Sequence, residues 1–440
     1  MKQYLLLLIG SLTAAFYSTA EAQQRITTYH DSARTIVKAV YFIQNGDSSR
    51  IHGPYKAFHT DGALATKGAF KEGKKVGVFE QYYPEGQLQR AIPFEGGFRN
   101  GEVLIYDPNG AVIQRAFYKN DTLDGELVQY FPNGKVHSKT EFKNGSPDGN
   151  VMEYYEDGTL KLEMQYKKGQ QNGLAKNYYT DGTLKSEAVY RNGQQSGYFR
   201  TYYPNGQLDT ETSNEGGKKI GNFKQYSPQG VQLVAGQYLQ GLLHGPNKAW
   251  YENGQIKHIF QYDKGKKAGT NYTFYPDSVL ESKLVVGKDG RNLEEVYWPD
   301  GKPRAKKIYL AEQPEGTWQY FDEQGKLEKE EIYVAGKLSG TVTTYYPDGK
   351  IKSTLSYLNG VPTGEEKEFY ANGKQKALYT YKSGKRFGAY KEWYENGQLR
   401  TEGQLKGDLK IGKWAFYDEK GKPIKKAEYL NGELVKELKL

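Results

Sequence analysis

Tyr202-Tyr203-Pro204-Asn205-Gly206-Gln207-Leu208 lies near the middle of the 440-residue chain, and its reading decides the fold. Two aromatics close a strand-like run, and Pro204, with no N–H to donate, ends ladder pairing there. Asn205 and Gly206 both tolerate positive φ and so favour a tight turn between β-prone runs. Outward from Gly206 the same glycine recurs at Gly62, Gly86, Gly110, Gly134, Gly158, Gly182, Gly230 and Gly254, in steps of 24 residues. Ser278 takes its place once, the following step is 23, and the series resumes at Gly301, Gly325, Gly349, Gly373, Gly397 and Gly421.

A second glycine series keeps the same register, from Gly53 and Gly77 through Gly269, then from Gly316 to Gly412. It belongs to the other half of the unit, exemplified by Tyr381-Lys382-Ser383-Gly384-Lys385-Arg386-Phe387-Gly388. The runs between turns have strand length and are rich in Tyr, Phe, Val, Leu and Thr, without sustained helical periodicity. Each unit therefore reads as two antiparallel strands. The chain is expected to be all-β: an elongated antiparallel β-hairpin repeat array of about sixteen 24-residue units, forming a twisted or curved open ribbon of about thirty-two strands. Composition agrees, because Gly (52) and Tyr (39) are abundant and aliphatics sparse. Aromatics bury roughly 150–250 Å² each and suit a thin core distributed along an array.

Aromatic positions fall into distinct rows. Four residues before the turn glycine (or Ser278), all sixteen units carry an aromatic, from Phe58 and Tyr82 to Trp393 and Tyr417. An unvarying aromatic reads as packing between neighbouring units. The next residue should face the other side of a regular strand. It is aromatic in eleven units, at Tyr83, Phe131, Tyr155, Tyr179, Tyr203, Tyr251, Tyr275, Trp298, Tyr346, Tyr370 and Tyr394, and is otherwise His59, Asp107, Ser227, Asp322 or Asp418. That mixture suits a partly exposed row, which makes these eleven residues the candidate binding positions. A third row on the second strand (Phe70, Phe94, Tyr118, Phe142 and onward) has the parity of Leu64, Leu88, Leu160, Leu184 and Leu327, and is expected to share their face and complete the core.

The unit resembles the bacterial variant of the MORN (membrane occupation and recognition nexus) repeat, over about residues 53–434. The resemblance implies an elongated antiparallel β-ribbon. It also implies lipid binding, protein scaffolding or oligomerisation as functions, while members of this variant often carry an antitoxin-like label. None of these follows from the spacing itself.

Residues 1–22 have the pattern of a secretory signal peptide, with Lys2, an apolar stretch beginning at Leu5–Ile9, and Ala20-Glu21-Ala22 as an A-x-A cleavage site. The expected layout continues with a lead-in or cap at 23–52, a first block at 53–277, an irregular junction at 278–316, and a second block at 317–440 with a C-terminal cap. At the junction Ser278 replaces glycine, one residue is missing, and Glu312-Gln313-Pro314-Glu315 replaces a turn, so the ribbon is expected to bend or break.

The net charge of +9 is scattered along the chain in NGK, KGK and KKG pieces, which argues for solubility and against nucleic acid as a partner. There is no cysteine, hence no disulfide or zinc–thiolate site. His30, His52, His59, His137, His244 and His258 lack metal-ligand spacing, and no nucleophile elbow, P-loop or zinc-protease motif occurs. Adjacent carboxylates such as Glu294-Glu295, Glu330-Glu331 and Glu365-Glu366 would point to opposite faces of a strand. The expectation is an exported, non-catalytic chain without cofactor or metal, in the periplasm, associated with the envelope or secreted. It would bind a protein or another envelope component, with glycan or anionic lipid as alternative ligands; its oligomeric state is not legible.

Overall fold

The computed structural model describes residues 23–440; the expected signal segment lies outside them. These residues form 41 strands and no helix, each paired antiparallel with its neighbours, and the sheet stays open. The chain divides into two compact units. One runs to Gly197 and includes Pro204–Gly206; the other comprises Tyr198–Tyr203 and Gln207–Leu440. Within each, hairpins follow one another in sequence order.

The two turn types differ in backbone chemistry. At Asn144-Gly145 both central residues have positive φ (49° and 80°), the conformation that matches the twist of a two-residue hairpin. At Tyr83-Pro84-Glu85-Gly86 only the glycine does, at 94°, while Gly86 N–H donates to the Tyr83 carbonyl and Tyr83 N–H to that of Gln87. The aromatic-Pro-Asn-Gly turn thus needs left-handed backbone at glycine alone, not at both residues of its pair.

Two irregularities recur in every regular unit and shape the faces. Between the second strand and the next first strand the register shifts: Leu355 pairs with Glu366, but Ser356 pairs with Thr363. The bulge holds the second-series glycine; at Gly340 (φ 147°) an added Cβ would lie 2.7 Å from the Ile332 Cβ. Where this residue breaks the ladder, one expected strand becomes two, as in Phe98–Arg99 and Gly101–Tyr106. Such splitting and the strands of the lead-in raise the count above thirty-two. A second bulge follows the aromatic turn: Gln81 pairs with Arg90 and Tyr82 with Leu88, leaving Gln89 over. It corrects the expected parity. Leu88 pairs with Tyr82 and shares its face, whereas Phe94, opposite Gly77, belongs to the other.

That other face carries the core, in a column that sequence inspection passed over. The residue seven before the turn glycine pairs directly with the one six after it: Tyr55 with Gly68, Phe79 with Ile92, Val103 with Ala116, Ala175 with Ala188, Phe223 with Gly236, Tyr390 with Gly403 and Trp414 with Ala427. Phe79, Ala116, Trp414 and Ala427 are all at most 3% exposed. Where the column carries glycine, a ring of the following strand takes the space: an added Cβ would lie 2.7 Å from Phe79 at Gly68 and 2.2 Å from Trp414 at Gly403. The third aromatic row packs against this column as expected: Phe79 meets Phe70 and Phe94 edge-on at 5.3 Å, and Trp318 meets Tyr333 at 4.7 Å. The row four before the glycine lies on the opposite face and is half-buried rather than central.

Toward the C-terminus the column takes up polar groups; the buried Thr212 hydroxyl and the Asn247 side-chain carbonyl have no hydrogen-bond partner, whereas others are satisfied locally. Buried Asn271 accepts from Gln261 N–H at 3.0 Å and donates to the Ala268 and Gly269 carbonyls. Glu294 accepts from the Tyr309 hydroxyl at 3.0 Å and faces Lys307 at 3.8 Å.

Across 278–316 the ladder runs without interruption, through the strands Leu280–Val286, Arg291–Tyr297 and Pro303–Leu310. The missing residue removes a bulge, not a strand. Val286 pairs with Asn292 in unshifted register, and Asn292 stands where the bulge glycine would be. Ser278 keeps the turn, with φ of 71° and its N–H donating to the Tyr275 carbonyl at 2.9 Å. Ala311-Glu312 (φ 48° and 67°) fold the hairpin that Asn-Gly folds elsewhere.

Candidate binding surface

Each of the eleven candidate residues is half-buried. Being amphipathic, a tyrosine can bury its ring and still needs a partner for its hydroxyl. Here the partner is the backbone of the next repeat. Tyr83, Tyr155, Tyr203, Tyr251 and Tyr275 donate to the carbonyls of Tyr106, Tyr178, Tyr226, Phe274 and Tyr297, at 2.8–3.0 Å. Tyr346, Tyr370 and Tyr394 do the same to Phe369, Trp393 and Tyr417, at 2.7–2.9 Å. Trp298 substitutes its indole N–H, reaching the Asp322 carbonyl at 3.1 Å, and His59 reaches the Tyr82 carbonyl. The row expected to be partly exposed is therefore a set of ties between neighbouring repeats.

The non-aromatic members solve a different problem at the same place. Asp107 accepts from the N–H groups of Asn109 and Ala111, Asp322 from those of Gln324 and Lys326, and Ser227 from those of Gln229 and Val231. They close their own turn instead of reaching forward. The mixture read as variable exposure is this alternation.

Basic side chains lie over five of the eleven rings. Lys185, Lys257, Arg304, Lys352 and Arg400 stand 4.6–5.9 Å from the ring centroids of Tyr179, Tyr251, Trp298, Tyr346 and Tyr394, while His137 lies 4.4 Å from Phe131. A covered ring offers no free face to a sugar, but it presents a cation at its rim.

The turns are also stitched. Asn133, Asn253, Asn372 and Asn396 donate through their amides to carbonyls one repeat on, at 2.7–3.1 Å. The Lys135, Lys350 and Lys374 ammonium groups do likewise at 2.6–2.9 Å. On the face opposite the core, lysines meet carboxylates, as in Lys67–Glu80, Lys139–Glu126 and Lys283–Glu295. Much of the basic surplus is thus engaged with the array itself, although exposed pairs of this kind hold only weakly.

Glutamates raise the pKa of neighbouring phenols. Burial pushes Tyr309, Tyr333 and Tyr345 up to about 12, helped by Glu294, Glu331 and Glu330 respectively. Turn aspartates move the other way: the Thr159 N–H lowers Asp157 and that of Thr183 lowers Asp181. Neither group is arranged as an acid–base pair around an open centre. Among the described residues, no three His, Asp or Glu side chains are grouped to hold a metal ion.

The core face also forms a concave site near the C-terminus, which no row in the sequence indicated. It is a recess of about 590 Å³. Its floor is a run of rings: Tyr379 to Tyr390 at 5.1 Å, Tyr390 to Trp414 at 5.4 Å, and Trp414 to Phe416 at 6.4 Å. Arg386, Asp408 and Lys410 border it, as do Glu392 and Arg400, joined at 3.0 Å.

Comparison with known proteins places the repeat. No curated protein matches the chain. Among solved structures it is similar to a chain of the TcdB2-TccC3-TEV crystal structure, at 11% identity and a TM-score of 0.16, over 93% of this chain and 24% of that one. It is also similar to a chain of a Photorhabdus luminescens Tc holotoxin pore, at 10% identity and a TM-score of 0.14, over 92% and 29%. The chain spans about a quarter of the length of these toxin proteins, and likeness at such scores bears on neither shape nor function. The family model for the MORN repeat variant matches residues 75–95, 99–120, 123–144, 147–168, 171–192, 195–213, 243–264, 314–335, 338–359, 362–383, 388–406 and 410–431. These segments cover more than half of the chain, which belongs to the MORN repeat variant family.

Proposed function

We propose that this chain is an exported, non-catalytic scaffold that holds a protein partner in the cell envelope or outside the cell. The observation that carries this reading is the edge at the aromatic turns, where from Tyr251 to Tyr394 a ring tied to the next repeat is capped by a Lys or Arg in every second repeat. Such an edge offers repeated, pre-positioned cations whose aliphatic stems are already packed on rings, so little side-chain entropy remains to be lost on docking. An acidic protein surface is the complementary partner. Export is supported by the sequence of the N-terminus alone: Lys2, the apolar stretch that follows it, and the A-x-A pattern at Ala20-Glu21-Ala22.

The test has two arms. Sequencing the N-terminus of protein recovered from the envelope and medium is expected to read from Gln23; an intact Met1 in the cytoplasm would refute export. Crosslinking in the envelope fraction, followed by reconstitution with the purified partner, is expected to give a complex weakened at least tenfold by Lys257→Glu with Arg304→Glu. Vesicle binding abolished by salt, with no protein complex, would assign the same cations to anionic lipid instead.

A further inference from the structure

We infer that the hairpins between Leu208 and Leu239 are a preset opening point, where the array unpairs locally and admits a protease while the flanking repeats stay folded. The strands concerned are Leu208–Glu215, Lys218–Tyr226 and Gln232–Leu239, all in the second compact unit. In a repeat array each unit is held mainly by its neighbours, so one poorly held repeat opens without global unfolding.

The core column changes character in this stretch. At Gly68 and Gly403 the space over the glycine is filled by a ring from the following strand, Phe79 or Trp414. At Gly236 the Asn247 amide takes that place, and its Oδ1 is buried without a hydrogen-bond partner. Thr212, 8% exposed, buries its hydroxyl in the same condition. Asn214, 6% exposed, stands at the repeat position of Tyr190 and Tyr238, so the third aromatic row loses its ring between them. A buried polar group without a partner has lost its water and gained no bond, and opening restores the hydration. Asn271, one repeat beyond Asn247, shows the alternative: its amide accepts and donates locally and carries no such penalty.

Contacts outside the column are thin as well. Six of the nine residues of Lys218–Tyr226 are exposed, the largest share in any nine-residue strand among the described residues. The repeat is also tied on one side only. The Tyr203 hydroxyl holds the Tyr226 carbonyl at 2.9 Å, but Ser227 comes next, and its hydroxyl accepts from Gln229 and Val231 within its own turn. The forward tie resumes one repeat later, where Tyr251 reaches the Phe274 carbonyl at 2.8 Å. Lys218, Lys219 and Lys224 are exposed on the same strand, which puts bonds that trypsin cleaves where the pairing is weakest.

The experiment is native-state hydrogen exchange of the full mature chain, read by mass spectrometry, with limited trypsin digestion alongside. Amides of Lys218–Tyr226 and Gln232–Leu239 are expected to exchange roughly tenfold faster than those of Leu160–Lys167 and Gln375–Lys382. The first cut inside the array is expected at Lys218, Lys219 or Lys224. Thr212→Val with Asn247→Leu removes both unpartnered groups while keeping bulk, and should slow exchange in 208–239 roughly tenfold and delay the cut. Exchange in 208–239 no faster than in the two comparison strands would overturn the inference. So would a first cut in another internal repeat, or a double variant that exchanges as fast as the parent. Should Asn247→Leu disturb distant repeats, Thr212→Val alone decides, with slower exchange still required.

Discussion

Gly403→Ala tests whether volume pairing in the core column holds the sheet together. Gly403 has no positive φ, so backbone strain does not enter and only space decides. An added Cβ would meet Trp414 ring atoms at 2.2, 2.3 and 2.7 Å, well inside contact distance. Trp414 is 2% exposed and its N–H donates to the Ile411 carbonyl, so the ring has little freedom to retreat. Ejecting it altogether would expose roughly 150–250 Å² and cost about 4–6 kcal/mol at ~25 cal/mol per Å². Local relaxation is cheaper, and overpacking of this kind costs about 1–3 kcal/mol. The intrinsic advantage of Ala over Gly in a strand, roughly 0.5–1 kcal/mol, offsets part of it. The substitution should therefore lower the local opening free energy of strands Leu399–Lys406 and Leu409–Tyr417 by about 1–2 kcal/mol. Native-state hydrogen exchange is the right assay, because neighbouring repeats can open without global unfolding. The decisive comparison is a double-mutant cycle. In a Trp414→Leu background the clash is gone, and Gly403→Ala should become neutral or stabilising. An equal cost in both backgrounds, or stabilisation of the parent chain, would refute the pairing of volumes.

Other predictions follow from the ties, the turns and the phenols. Tyr346→Phe deletes the 2.7 Å bond to the Phe369 carbonyl and should destabilise the hairpins on either side by about 0.5–1.5 kcal/mol, read as faster exchange there and not in distant repeats. Replacing Ala311-Glu312 by Asn-Gly relieves two left-handed L-residues, each costing roughly 1–2 kcal/mol, and should slow exchange in Pro303–Leu310 and Gly316–Phe321. An unchanged rate would mean that the turn is not strained. Tyr309, Tyr333 and Tyr345 have folded pKa values raised from 10.0 to about 12, so folding favours their neutral form. The stability they contribute is complete below pH 10 and is lost as pH rises toward 12. Ultraviolet difference absorbance should show late-titrating phenols, with loosening of their repeats over that same range. Normal titration near pH 10 would contradict it.

Period, strand direction and hairpin order were all legible in the sequence. They depend on local backbone chemistry: glycine at positive φ, proline without an N–H, and β-prone runs between them. Such signals act within a few residues and need no knowledge of the fold. The third aromatic row was rightly expected in the core, but not on the face of Leu88, from which the bulge separates it. The irregular stretch at 278–316 was visible, but its effect was not. Whether a lost residue breaks a strand or removes a bulge depends on the register with the neighbouring strand, and pairing decided for the bulge.

What only the tertiary structure decided is which residues face each other. Alternation along a strand predicts a face until a bulge inverts it, as at Gln89 between Leu88 and Arg90. The core column escaped notice because no single residue type marks it: Val103 with Ala116, Phe223 with Gly236 and Trp414 with Ala427 share a register position and little else. The candidate row was marked by residue type, and the structure adds that the same type ties neighbouring repeats together. A tyrosine selected to bind and a tyrosine selected to reach a carbonyl one repeat away look alike in sequence. The turn glycines declared the hairpins without help from the rest of the chain. The faces, the ties and the recess beneath Phe416 came from register, because packing is a property of pairs of strands and not of either strand alone.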